Sequence, residues 1–203
     1  MVKCTRCESA STAQVGTPPR CLWPEQNSET DSGVIVVGLN PGRAGPEEIV
    51  FYNKVGLTFE ATISYLRDNS TRIPYFSELR RFVQAAFGKR SIYWTEVAKC
   101  ELKHGQANVP LEMRRTCIEL HLKAELSLLP ISWPVVAAGR VAFETMAVLC
   151  TDRAVLGVPH PTGAFGRQFS TLFAGSTLSV RAAQQASFVL SQTAAKWLSG
   201  GEA

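Results

Sequence analysis

"VIVVGLNPGRAG", residues 34–45, sets a run of β-branched apolar residues directly against a turn made of Gly38, Asn40, Pro41 and Gly42. A short continuous apolar run of this kind suits a strand buried on both faces, as in a parallel sheet. The glycines invite comparison with nucleotide-binding loops, and both standard patterns fail. A phosphate-binding loop needs a Gly-Lys-Ser/Thr ending, and no lysine follows Gly38 until Lys54; the dinucleotide fingerprint needs glycine where Asn40 stands. Asn-Pro-Gly also makes an ordinary tight turn, with proline fixing φ, glycine allowing positive φ and asparagine bonding to local backbone.

Outward from this stretch the chain alternates strand and helix patterns. A helix is predicted over 57–66, with Leu57, Ala61, Ser64 and Tyr65 near one face, and another over 77–88, with Ser77 as N-cap and Gly88 as stop. "SIYWTEVAK" (91–99) reads as a second buried strand and 111–129 as an amphipathic helix after Pro110. "PVVAAG" then "RVAFETMAVL" gives strand and helix again, "AVLGVPHPTG" a strand ending in a loop, and 182–200 a last helix. Such alternation implies an α/β fold: a three-layer αβα arrangement around a central, mostly parallel, four-stranded sheet. Ligands of such sheets sit beyond the carboxyl ends of the strands, where "GLNPG", "TEVAKC" and "PHPTG" all fall.

At 203 residues and 45% hydrophobic composition the chain is long enough for one substantial core, read as one domain over 1–203 with an irregular lead-in over 1–32. A net charge of +4 tolerates an anionic partner without demonstrating one. No apolar run approaches a membrane span and the start is polar, so the expected home is the cytoplasm and a monomer is expected. In a reducing compartment the six cysteines, at 4, 7, 21, 100, 117 and 150, argue for metal or cluster ligation rather than disulfides. His160, held between two prolines in a strand-end loop, has little rotational freedom and is a candidate functional residue.

Gly38-Leu39-Asn40-Pro41-Gly42 after the first strand and His160-Pro161-Thr162-Gly163 after the last resemble the two motifs of the uracil-DNA glycosylase superfamily, which meet over an extruded base. The asparagine looks most like the mismatch-specific and single-strand-selective branches. Cys4-Thr-Arg-Cys7, with Cys100 and Cys117, resembles the ligand set of the iron-sulfur branch (family 4), implying a [4Fe-4S] cluster that clamps the lead-in; zinc is the alternative for four thiolates. The resemblance implies a monofunctional DNA glycosylase acting on a flipped nucleotide. Asn40 would orient the water, and His160 would donate to the pyrimidine O2 as charge develops there. Gly38, Leu39 and Gly42 would bring backbone close to the base, and Phe51 would stack on it. Thr162 and Gly163 would face the DNA, Phe165 would fill the vacated stack and Arg167 would meet a phosphate. Glu47 and Glu48 are second candidates for water activation or simply surface charge.

One position departs from the iron-sulfur branch. Where that branch has asparagine in "NVVKC", this chain has Glu96 in "TEVAKC". An ionised carboxylate would face the O4 lone pairs of uracil, whereas a protonated one both accepts from N4 and donates to N3 of cytosine. Excising normal cytosine would be ruinous, so a modified cytosine is the expected substrate, and the resemblance to superfamily members that defend against phage by excising glucosylated hydroxymethylcytosine makes that class concrete. Ordinary uracil excision in repair, a hypoxanthine-type lesion and a non-catalytic iron-sulfur DNA-binding module are the alternatives.

Overall fold

The computed structural model describes residues 19–26, 30–102, 108–162 and Phe169. The expected final helix lies outside them. Five strands form one sheet: β1 (Trp23–Glu25), β2 (Gly33–Gly38), β3 (Ser91–Glu96), β4 (Val135–Ala138) and β5 (Val155–Val158), in the order β1-β3-β2-β4-β5. The four from β3 to β5 are parallel, as the alternation implied, and β1 adds an antiparallel edge.

All six residues of β2 are buried, because its two faces carry two different cores. Val34 and Val36 join Leu66, Leu79, Phe82, Trp94 and Leu156 on one face; Ile35 and Val37 join Leu122, Leu126, Val135 and Met146 on the other. The period-two alternation of a strand thus produces three layers. Helices α1 (Pro46–Val55), α2 (Phe59–Asn69) and α3 (Pro74–Phe87) follow β2. Helix α4 (Leu111–Cys117) runs through a π-helical turn (Ile118–Leu122) into α5 (Lys123–Ser127), and α6 (Arg140–Leu149) lies between β4 and β5.

Four local details differ from the pattern reading. Helix α1 is not among the elements that the sequence pattern predicts. The lead-in is not irregular throughout: Trp23–Glu25 pairs with β3, and Trp23 stacks on Trp94 at 5.8 Å between ring centroids. Arg80 grips Glu25 at 2.6 and 2.8 Å, and Arg20 N–H donates to the Lys99 carbonyl, so this part of the lead-in is held by protein contacts. Helix α2 begins at Phe59 because Thr58 caps it, accepting from Ala61 N, and Leu57 stays 51% exposed. Helix α3 begins at Pro74 with Ile73 as N-cap, so Ser77 falls inside the first turn. Proline's fixed φ favours that first helical position. The earlier start draws Tyr75 and Phe76 into the helix, which matters for the site.

β2 lies between β3 and β4, so the chain departs from it in both directions, the arrangement that opens a crevice at the carboxyl ends. The register pairs Gly38 with Glu96 and Ala138 with Val158, setting the ends of adjacent strands side by side.

Candidate active site

A cavity of about 460 Å3 opens at these strand ends. Asn40 from the loop after β2, Glu96 from the end of β3, and His160 and Thr162 from the loop after β5 all line it. Three motifs spread from residue 40 to residue 160 of the sequence therefore reach one space.

Asn40 is held by its own loop: Nδ2 donates to the Pro41 carbonyl at 2.8 Å, which leaves Oδ1 free as an acceptor. The glycines around it act through closeness rather than unusual dihedrals. Among the described residues the positive-φ glycines are Gly56, Gly88 and Gly139, so Gly42 does not use the φ freedom expected of it. A Cβ at Gly38 would come within 2.5 Å of the Tyr75 hydroxyl, whereas one at Gly42 would meet nothing within 4 Å. Gly38 is thus required by packing against Tyr75, and Gly42 leaves open backbone at the cavity wall. Leu39 does not reach the cavity; its side chain packs against two cores, and its carbonyl accepts from Ala98 N at 2.8 Å.

His160 lies against Tyr75, ring centroids 5.3 Å apart. Its Nδ1 is 3.3 Å from Thr162 N–H and 3.2 Å from both the Thr162 hydroxyl and the Thr162 carbonyl. The carbonyl alone would favour a proton on Nδ1; the amide is an obligate donor and the hydroxyl can donate as well, so the proton is assigned to Nε2. Burial pulls the His160 pKa below its ordinary value, against a smaller opposing effect of the Thr162 backbone. The imidazole is therefore a neutral donor at neutral pH.

Glu96 is buried, and burial pushes its carboxyl up to about 7, against the pull of the Arg20 and Lys99 cations. Lys99 is itself enclosed, with all three ammonium protons used: on Thr95 Oγ1 at 2.6 Å, the Glu96 carbonyl at 2.7 Å and Glu125 Oε2 at 2.6 Å. Glu125 also accepts from Leu22 N, so it joins the lead-in, the end of β3 and α5. Cys117 and Glu125 are eight residues apart, nearly one residue more than two turns at 3.6 per turn. The wider π turn between them absorbs the excess, so Cys117 packs in a cluster with Ala98 and Cys100 of the loop after β3 while Glu125 reaches Thr95 and Lys99.

The structure also separates residues that the sequence left together. Glu48 is buried and lines the cavity, its Oε1 accepting from Arg20 Nη2 at 2.7 Å and Tyr52 Oη at 3.1 Å, while Glu47 is exposed. Phe51, expected against the base, is not among the cavity-lining residues; α1 turns Tyr52 inward, and the Phe51 ring lies 5.3 Å from that of Tyr65. The aromatic surfaces offered to the cavity are Tyr65, Tyr75 and Phe76. None of these three, nor Arg20, carried a sequence signal as a site residue, although placing the start of α3 at Pro74 points to Tyr75.

Gly163, Phe165 and Arg167 lie outside the described residues, as do Cys4 and Cys7. Cys100 and Cys117 fall in one small buried cluster with Ala98, Val109 and Met113. Among the described residues no three His, Cys, Asp or Glu side chains gather to hold a metal ion. Cys100, in the loop after β3, and Cys117, the last residue of α4, are two buried thiols of the kind a four-thiolate set needs. Burial raises the thiols of Cys21 and Cys150 to about 11, which makes both poor thiolate donors. No described helix is long and apolar enough to cross a membrane.

A comparison with curated proteins gives no match. A family model described as the Uracil DNA glycosylase superfamily, whose members are DNA glycosylases, matches residues 24–198. From its antiparallel edge strand through the loops that carry Asn40, Glu96 and His160, this chain belongs to the Uracil DNA glycosylase superfamily.

Proposed function

We propose that the protein is a monofunctional DNA glycosylase that everts a modified cytosine and hydrolyses its N-glycosidic bond. The observation that carries this reading is the single strand-end cavity lined by Asn40, Glu96 and His160. The C1′–N1 bond breaks with its electron pair leaving on the base, and a water oxygen bonds to C1′ and gives up a proton. Asn40 Oδ1 orients that water but cannot keep the proton, so its contribution is positional. Glu48, enclosed at the cavity wall, is the carboxylate placed to take that proton, and the departed base anion is neutralised by a proton in turn; Glu47 faces solvent. His160 Nε2–H donates to O2 as negative charge gathers there, as an oxyanion-hole donor does.

Glu96 sets the base preference. With its carboxyl raised to about 7 by burial, a large share is protonated at neutral pH. That form donates from O–H to cytosine N3 and accepts from the N4 amino group. Tyr65, Tyr75 and Phe76 replace Phe51 as the candidates for stacking on the base. Arg43, exposed and lining the cavity, would contact a phosphate. From the motif resemblance Arg167 would meet another, Thr162 and Gly163 would face the DNA, and Phe165 would be the wedge. Cys4, Cys7, Cys100 and Cys117 would hold a [4Fe-4S] cluster, or zinc, whose bonds would tie the start of the chain to the loop after β3 and to α4. The four-cysteine pattern of the sequence supports this; of its members, Cys100 and Cys117 are buried in one apolar cluster.

The test is incubation with oligonucleotides carrying uracil, hypoxanthine, cytosine, 5-hydroxymethylcytosine or its glucosylated form, followed by alkali to cleave at abasic sites. Faster release of the modified cytosines supports the reading. Uracil as the best substrate removes the inference from Glu96, and no release from any substrate in a well-folded, metal-replete protein favours a non-catalytic DNA-binding module.

A further inference from the structure

Arg20 enters the cavity from the lead-in, and its side chain is only 8% exposed. One nitrogen, Nη2, is spent on Glu48 at 2.7 Å, but Nε is buried with no acceptor. The other orphaned side-chain atom among the described residues, Arg114 Nε, belongs to a residue that does not line the cavity. A buried donor left unmatched on a charged group is costly, so such an atom calls for an explanation. Glu48 has a complementary surplus. Both of its hydrogen bonds, from Arg20 and Tyr52, fall on Oε1.

We propose that Arg20 and Glu48 form a subsite for an uncharged, hydroxylated substituent carried on the everted base. A hydroxyl accepts from Nε–H and donates to Oε2 at once, the match that this pair lacks in the free protein. A methyl group would leave both unmatched. An anionic substituent would meet the carboxylates of Glu48 and Glu96. The space is adequate, since about 460 Å3 falls within the roughly 300–1,000 Å3 of small-molecule pockets and exceeds the needs of a bare pyrimidine. The subsite rests on reading the cavity as a base pocket, and it makes the lead-in a determinant of specificity.

The experiment compares the wild type with Arg20→Lys and Arg20→Met on oligonucleotides carrying cytosine, 5-methylcytosine, 5-hydroxymethylcytosine or glucosylated 5-hydroxymethylcytosine. Single-turnover base release and equilibrium binding by fluorescence anisotropy are both read. Arg20→Lys keeps a cation beside Glu48 but has no Nε–H, so it serves as the variant that folds if Arg20→Met does not, with melting temperature as the control. The expected result is at least a tenfold loss of preference for the two hydroxylated bases over 5-methylcytosine in Arg20→Lys. An equal change on every substrate, or no change, overturns the subsite. If the wild type releases no base at all, the glycosylase reading fails alone. Binding then decides the subsite: a wild-type preference for the hydroxylated bases, lost in Arg20→Lys, upholds it, and equal binding of all four overturns it.

Discussion

Glu96→Gln isolates the protonation state on which the base preference depends. A glutamine amide has one acceptor and one donor edge, as the neutral carboxylic acid has, but does not titrate. With the Glu96 carboxyl at about 7, the competent acid form makes up about nine-tenths of the wild type at pH 6 and about one-tenth at pH 8. Single-turnover release of 5-hydroxymethylcytosine should therefore fall about tenfold between those values, with the descending limb centred near the pKa. In Glu96→Gln the limb disappears. The amide can also turn to pair with N3–H and O4 of uracil, so the variant should gain uracil release. Stability supplies an independent reading. The unfolded carboxyl loses its proton at lower pH than the folded one, so the unfolded state binds fewer protons between 4.5 and about 7. Wild-type stability falls as pH climbs through that window and the loss is complete above it. The shift corresponds to at most about 3 kcal/mol, so Glu96→Gln should melt several degrees higher than the wild type at pH 8 and no higher at pH 4. A flat wild-type profile from pH 6 to 8, or a descending limb that survives in Glu96→Gln, would refute the role given to this carboxyl.

Gly38→Ala places a Cβ 2.5 Å from the Tyr75 hydroxyl, and overpacking of that kind costs roughly 1–3 kcal/mol. Urea denaturation should show that loss, and adding Tyr75→Phe should recover most of it; an equally unstable double variant would contradict the packing described. Lys99→Met leaves the Glu125 carboxylate buried without its cation. It should lose about 3–5 kcal/mol by the same measurement, and Lys99→Met combined with Glu125→Gln should regain a substantial part. For the cysteines, metal analysis of the purified protein should give four irons per chain with broad visible absorption, both lost in Cys100→Ala and Cys117→Ala. Zinc at one per chain would identify the other four-sulfur occupant, and a metal-free, fully folded protein would remove the cluster.

The parallel strands were legible because a strand buried on both faces must be apolar throughout, as Val34–Val37 and Val135–Ala138 are. Strand β1 was not, since "WPE" has neither length nor alternation and forms only because Trp23 finds Trp94 and Phe76. Asn40, Glu96 and His160 stood out as polar residues at strand ends, and these line the cavity. Its remaining walls are set by tertiary geometry. Arg20 approaches from a segment distant in sequence, and Tyr75 depends on a helix start that Pro74 fixes three residues before the serine that looked like a cap. Phe51 and Tyr52 are adjacent aromatics, and only the rotation of α1 decides which one turns inward.

The most direct measurement is a crystal structure of the protein bound to DNA that carries 5-hydroxymethylcytosine on a 2′-fluorinated, hydrolysis-resistant sugar. The expected result is the base everted into the strand-end cavity, with O2 within hydrogen-bonding distance of His160 Nε2, N3 and N4 on the Glu96 carboxyl, and a water on Asn40 Oδ1 facing C1′. A base left stacked in the duplex, or seated where Asn40 and His160 do not both reach it, would contradict the account.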